Sequence, residues 1–133
     1  VATANNNSAS IAAIAYEVVA GELAVLKGNL PKAIKHLENA VTYEDALVYT
    51  EPAAWHVPTR QNLGAVLMKA KKYNEAEKIY KEDLAVLRQN GWSLIGLYNA
   101  YMAQGKTNAA EKIKEEFDKA WADSDIKITN SIL

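Results

Sequence analysis

The densest group of chemically capable side chains lies on the stretch Glu51-Pro52-Ala53-Ala54-Trp55-His56-Val57-Pro58-Thr59-Arg60. A carboxylate, an imidazole, an indole and a guanidinium this close in sequence can form a small polar site, because imidazole changes charge near neutral pH and an indole supplies an apolar wall. Trp55, His56 and Arg60 are therefore the candidate residues of a loop site. The simpler alternative is a histidine that packs or is solvated beside its tryptophan. His36, the other histidine, stands in Lys35-His36-Leu37-Glu38-Asn39 and is expected on a helix surface. The two histidines have neither the separation nor the acidic companions of a zinc pattern.

Other routes to chemistry are missing from the sequence. It contains no cysteine, so disulfides, thiolate metal sites and cysteine nucleophiles are excluded. It also has no glycine-rich phosphate loop, no nucleophile elbow and no HExxH sequence. The expectation is a protein that is not an enzyme and needs no cofactor or metal. Trp92 and Trp121 stand where a large ring can seal a helical hairpin, whereas Trp55, on a proline-flanked loop, can face a partner. Glu17 and Arg60 occupy matching helix positions and are expected to pair, the alternative being that Glu51 or another loop acid holds Arg60.

Fifteen Lys and Arg against sixteen Asp and Glu leave a formal charge of -1. No global field gathers nucleic acid or anionic lipid, and neither is expected as a partner. No uninterrupted apolar run approaches the roughly 18–20 residues of a membrane span, so no membrane insertion is expected. The start, Val1-Ala-Thr-Ala-Asn-Asn-Asn-Ser8, lacks both an initiator Met and a basic region, which suggests a piece of a longer chain. Compartment is left open.

The elements that would carry these residues follow from periodicity. Apolar residues at three- and four-residue steps predict helices over about 8–27, 31–48, 58–70, 74–89, 92–104 and 108–122. Ser8 is the expected N-cap of the first, and Pro31 suits the first turn of the second. Gly28, Gly91 and Gly105 fall at turns. The tail, 123–133, alternates polar and apolar residues, and Ile126 or Ile128 is expected to pack against the last helix.

The helices repeat. A shift of 34 residues superposes Ala76 on Ala110, Leu63 on Leu97 and Leu67 on Tyr101. An earlier copy, 43 residues upstream, places Ala33 on Ala76 and Gly21 on Gly64, its extra length falling in the proline loop. A period near 34 residues is that of stacked helix-turn-helix units. The expected organisation is a single all-α domain over 1–133, with repeats 11–48, 58–90 and 91–122, an inserted loop 49–57 and a C-terminal tail 123–133.

Leu63-Gly64, Leu67, Tyr73, Ala76 and Tyr80 resemble the signature of the tetratricopeptide repeat family, and Gly21, Ala24, Leu30, Ala33, Leu37 and Ala40 give a second copy. The third keeps Leu97, Tyr101, Gly105 and Ala110 but has Tyr98 where a small residue is usual. The stretch from Tyr49 to Gly64 and the run Asn90-Gly-Trp-Ser-Leu94 are similar to the C-terminal repeats of a group of bacterial members. The resemblance implies a right-handed α-α superhelix, a solenoid of three hairpins whose first helices line a concave groove that holds a peptide or partner helix. It would place Val18, Glu22 and Val25 of the first repeat on that groove. Gln61, Ala65, Met68 and Lys69 follow from the second, and Ile95, Asn99 and Met102 from the third. Chaperone-binding members clamp a carboxylate with Lys and Asn, but Val18, Glu22, Trp92 and Gly96 stand at several of those positions, so that subclass does not fit.

The expected function is a protein-interaction scaffold for a protein or peptide partner. The alternatives are a structural or capping segment of a longer chain, and a small-ligand or enzymatic site around 51–60. An exposed apolar repeat edge also makes self-association an expected behaviour.

Overall fold

The computed structural model describes residues 6–132. It is all-helical, with six helices and no strand among the described residues: α1 (Ser8–Leu26), α2 (Leu30–Asp45), α3 (Thr59–Lys69), α4 (Tyr73–Val86), α5 (Gly91–Ala103) and α6 (Thr107–Ala120). The chain divides into two compact units, Val1–Thr59 and Arg60–Leu133, where the sequence suggests one continuous domain.

In the first unit, α1 packs against α2. Asn7, one residue before the expected cap, starts α1: its side chain accepts from Ser10 N at 2.8 Å. The buried stripe of α1 is Ile14, Glu17, Gly21 and Ala24. Gly21 is required by close approach, because a Cβ there would lie 2.9 Å from Leu37 Cγ. Asn29 caps α2 by accepting from Lys32 N at 3.1 Å, and Pro31 occupies the first turn. Helix α2 ends at Asp45, short of the expected 48. There Leu47 N donates back to Glu44 O, and Asn6 takes over the next backbone groups by bonding both Val48 O and Val48 N at 2.8 and 2.7 Å.

Helix α1 is the element that bears on the expectation of no membrane insertion. Its 19 residues are long and apolar enough to cross a bilayer by length and composition, although Glu17 and Glu22 interrupt every continuous apolar run. A soluble core helix and a signal sequence pass the same test. Here the apolarity serves two faces: the stripe packed on α2, and an exposed stripe of Tyr16, Val19, Leu23 and Leu26.

The second unit contains α4, α5, α6, the tail and all of α3 after Thr59. Thr59 itself, the last residue of the first unit, donates its N–H and hydroxyl to Glu44 Oε2 at 2.8 and 2.5 Å, which satisfies the start of α3. Tyr80, fully buried, is the centre of the second unit's core. A Cβ at Gly64 would come within 2.5 Å of its ring, and one at Gly96 would overlap it, so α3 and α5 both need glycine to close on α4. Gly91 begins α5 instead of forming a turn, and a side chain there would overlap the Trp121 ring. Leu94, Ile95 and Phe117 form a second cluster, joined by Tyr98, Ile113, Trp121 and Ile128.

One turn geometry recurs three times. Gly28, Lys71 and Gly105 all have positive φ, at 73°, 60° and 71°. In each case the following N–H, on Asn29, Lys72 or Lys106, reaches five residues back, to Ala24 O, Leu67 O or Tyr101 O, at 2.9 Å each. The next helix then opens identically, with Ala33, Ala76 and Ala110 donating to those same three residues at 3.0 Å. This is a Schellman-type stop, whose left-handed residue is ordinarily glycine. Lys71 is the copy with a side chain in that conformation, at a cost of about 1 kcal/mol. Lys71→Gly is therefore expected to raise stability by about 0.5–1 kcal/mol in urea unfolding, and a loss of stability would disprove the strain at this turn.

Candidate functional site

The loop places Trp55 beside His56, and Arg60 is directed at Glu82 of α4. Trp55 is half-buried, its ring centroid 6.4 Å from that of exposed His56 and tilted 41° to it. The Trp55 Nε1 is buried without a hydrogen-bond partner. Tyr49 donates its hydroxyl to Glu51 Oε1, which occupies the loop acid locally. Arg60 opens the second unit and directs Nε to Glu82 Oε2 at 3.4 Å. No group of three potential metal ligands occurs among the described residues.

His36 differs from the sequence expectation. It is half-buried, and its Nδ1 lies 2.6 Å from Glu17 Oε2. The pairing explains how Glu17 is accommodated on the buried stripe of α1: imidazole satisfies a carboxylate that would otherwise be poorly solvated there. Tyr16 adds an edge contact to the His36 ring at 6.4 Å. The motif search missed this pair because its members are on different helices.

A second charged cluster lies on α4. Glu77 accepts from Lys81 at 2.5 Å, Lys106 at 2.7 Å and Gln104 at 2.9 Å. Burial pushes its carboxyl up, but the hydrogen bonds from Lys106, Lys81 and Gln104 outweigh burial and bring it down to about 2. A shallow depression opens here beside Asn74 and Lys78. Its two central ammonium groups, on Lys81 and Lys106, are both engaged by Glu77.

Trp92 and Trp121 do seal a hairpin. Their rings meet edge to face at 5.9 Å, and Trp121 stacks on Phe117 at 5.9 Å and 14°.

The groove positions divide by accessibility. In the first unit, Glu22 is exposed and Val18 and Val25 are half-buried on α1. In the second, Lys69 and Met102 are exposed, and Ala65, Met68 and Asn99 are half-buried. Gln61 and Ile95 are each only 5% exposed. These two are buried at positions where the resemblance implies groove contacts. Helices α3 and α5 converge on Tyr80 through Gly64 and Gly96, which fixes the spacing of the residues they carry.

Across α5 runs the tail. Trp121 Nε1 donates to Ile126 O at 2.6 Å, Ile128 packs on the cluster of Leu94, Ile95 and Phe117, and Asn99 Nδ2 donates to Thr129 O at 2.8 Å. Ser131, only 3% exposed, shares a 2.5 Å hydrogen bond with the Tyr80 hydroxyl. Ile128, not Ile126, therefore supplies the apolar contact expected of the tail; Ile126 is 61% exposed. The alternation of Ile126, Ile128 and their polar neighbours gave the sequence signal for a docked segment. It did not indicate that Asn99 would hold the segment.

Comparison of the chain with protein-family models, with curated proteins and with solved structures returns no match.

Proposed function

We propose that this chain is a tetratricopeptide-type scaffold that binds an extended peptide segment of a partner protein on the face carried by α3 and α5 of the second unit. The observation that carries this reading is Asn99, a residue placed on the groove by the family resemblance. Its amide is spent on the backbone carbonyl of the irregular C-terminal segment instead of on its own helix. Recognition through main-chain groups suits a surface that reads an extended peptide, because each such bond is independent of the ligand's side chain. The neighbouring residues support it: Met68 and Met102 offer adaptable apolar contact and Lys69 a cation at the rim. The threefold recurrence of the Schellman-type stop supports the repeat architecture.

A panel of extended peptides displayed on phage tests the reading. Selected peptides are expected to bind the native chain, and a Met68→Glu, Asn99→Glu chain of unchanged circular dichroism is expected to lose about tenfold or more in affinity. A second reading, a structural segment that stacks on further helices, is favoured by the exposed stripe of Tyr16, Val19, Leu23 and Leu26 on α1. It becomes the better one if no peptide is selected, or if those selected bind both chains alike.

A further inference from the structure

We infer that the segment Ile126–Ile132 is the tethered ligand of the α5 face, and that the partner peptide displacing it carries a branched apolar residue followed three positions later by Ser or Thr. This deepens the proposed function and rests on it. The segment has no regular secondary structure, and its side chains alternate in purpose. Ile128 is turned into the cluster of Leu94, Ile95 and Phe117, and Ser131 into the Tyr80 hydroxyl. Between them Thr129 and Asn130 are exposed, and Thr129 contributes its carbonyl to Asn99. The three attachments define what the face reads: an apolar pocket, one main-chain carbonyl, and a hydroxyl at a fixed distance beyond.

The hydroxyl-reading position is built into the core. Tyr80 is fully buried, flanked by Gly64 and Gly96, and its OH meets Ser131 at the end of that passage. A ligand with alanine or a charged residue here would bury the tyrosine hydroxyl without its partner or bury a charge beside it, so the site discriminates sharply for a small hydroxyl.

Most of the tail is open to solvent. Residues 122–127, 129 and 130 are exposed, and only Ile128, Ser131 and Ile132 lose much surface. Few buried apolar contacts mean a low free energy of local opening. A tethered segment nevertheless competes at an effective concentration near the millimolar range, so an outside peptide is disadvantaged until the tail is weakened or outcompeted.

The test uses a fluorescent peptide with the sequence of residues 125–132 and chains of residues 1–133. Expected is weak binding to the native chain, and binding about tenfold tighter or more to an Ile128→Asp chain whose own tail is loosened. On that background, Asn99→Ala is expected to weaken the peptide again, and a peptide with Ala in place of Ser131 is expected to bind worst. Equal binding to native and Ile128→Asp chains, or binding to neither while circular dichroism remains helical, overturns the inference. The phage-selected peptides separate its failure from that of the broader reading. If they bind native and Ile128→Asp chains equally, the face is a docking site and the tail is not its competitor. If neither chain binds any of them, both proposals fall.

Discussion

Replacing Tyr80 with alanine should destabilise the second unit by about 3–5 kcal/mol, the usual cost of deleting a fully buried aromatic ring. The ring is 0% exposed and fills space that two helices left vacant by having glycine at positions 64 and 96. Its phenol is pushed up to about 12, first by burial, with the Ser131 hydrogen bond opposing and the Asp83 charge adding to the rise. Tyr80→Phe removes only that hydroxyl and is expected to cost about 1 kcal/mol, which separates ring packing from the bond to Ser131. The glycines provide a sharper check. Gly64→Ala and Gly96→Ala each force an atom into the ring of the native protein and should destabilise it by about 1–3 kcal/mol. In the Tyr80→Ala background the same changes fill the cavity, so their effect should shrink or reverse sign. Additive effects in urea unfolding would mean that the three residues do not form one packed unit.

The same triangle shows what was readable beforehand. Gly21 meets Leu37 as Gly64 meets Tyr80, each pair sixteen residues apart, and both glycines stood out in the repeat alignment before any geometry was known. Local signals also placed Pro31 at the start of α2 and glycine at two of the three left-handed stops. Lys71 hid the third stop, because alignment alone does not reveal that a lysine adopts a positive φ. Two helix ends were misjudged: Asn7, through its local bond to Ser10, caps α1 in place of Ser8, and the non-local bonds from Asn6 to Val48 took over backbone groups beyond the end of α2.

The candidate site was legible only in part for a related reason. Position in a repeat identifies which side of a helix a residue occupies, but burial depends on what else covers that side. Gln61 and Ile95 were placed on the groove and are buried, with Ile95 in the cluster that receives Ile128 of the tail. Glu17 and His36 are on adjacent helices, and no spacing rule within either helix brings them together. The lone loop histidine drew attention through composition, whereas the paired one on α2 needed the fold to show its role.

Asp83 carries the second large expected effect. It is 4% exposed on α4, and its Oδ2 accepts from Ser93 Oγ at 2.5 Å and from Asn90 Nδ2 at 3.0 Å. Asn90 is in turn the N-cap of α5, accepting from Trp92 N at 3.1 Å. One carboxylate thus orients the residue that starts the helix bearing Asn99. Asp83→Ala leaves the fully buried Ser93 hydroxyl without this acceptor and loosens the cap, with an expected cost of about 2–4 kcal/mol. Ser93→Ala alone should cost about 1–2 kcal/mol, and the double variant clearly less than the sum, since a hydroxyl already removed cannot be left unsatisfied a second time. A coupling below about 0.5 kcal/mol in the double-mutant cycle would show that the two side chains act independently. Because α5 also carries the tail-binding amide, Asp83→Ala should weaken retention of the tail even though residue 83 does not touch it, measurable as faster amide hydrogen exchange at residues 128–131. Unchanged exchange there, together with lost stability, would confine the role of Asp83 to the α4–α5 turn.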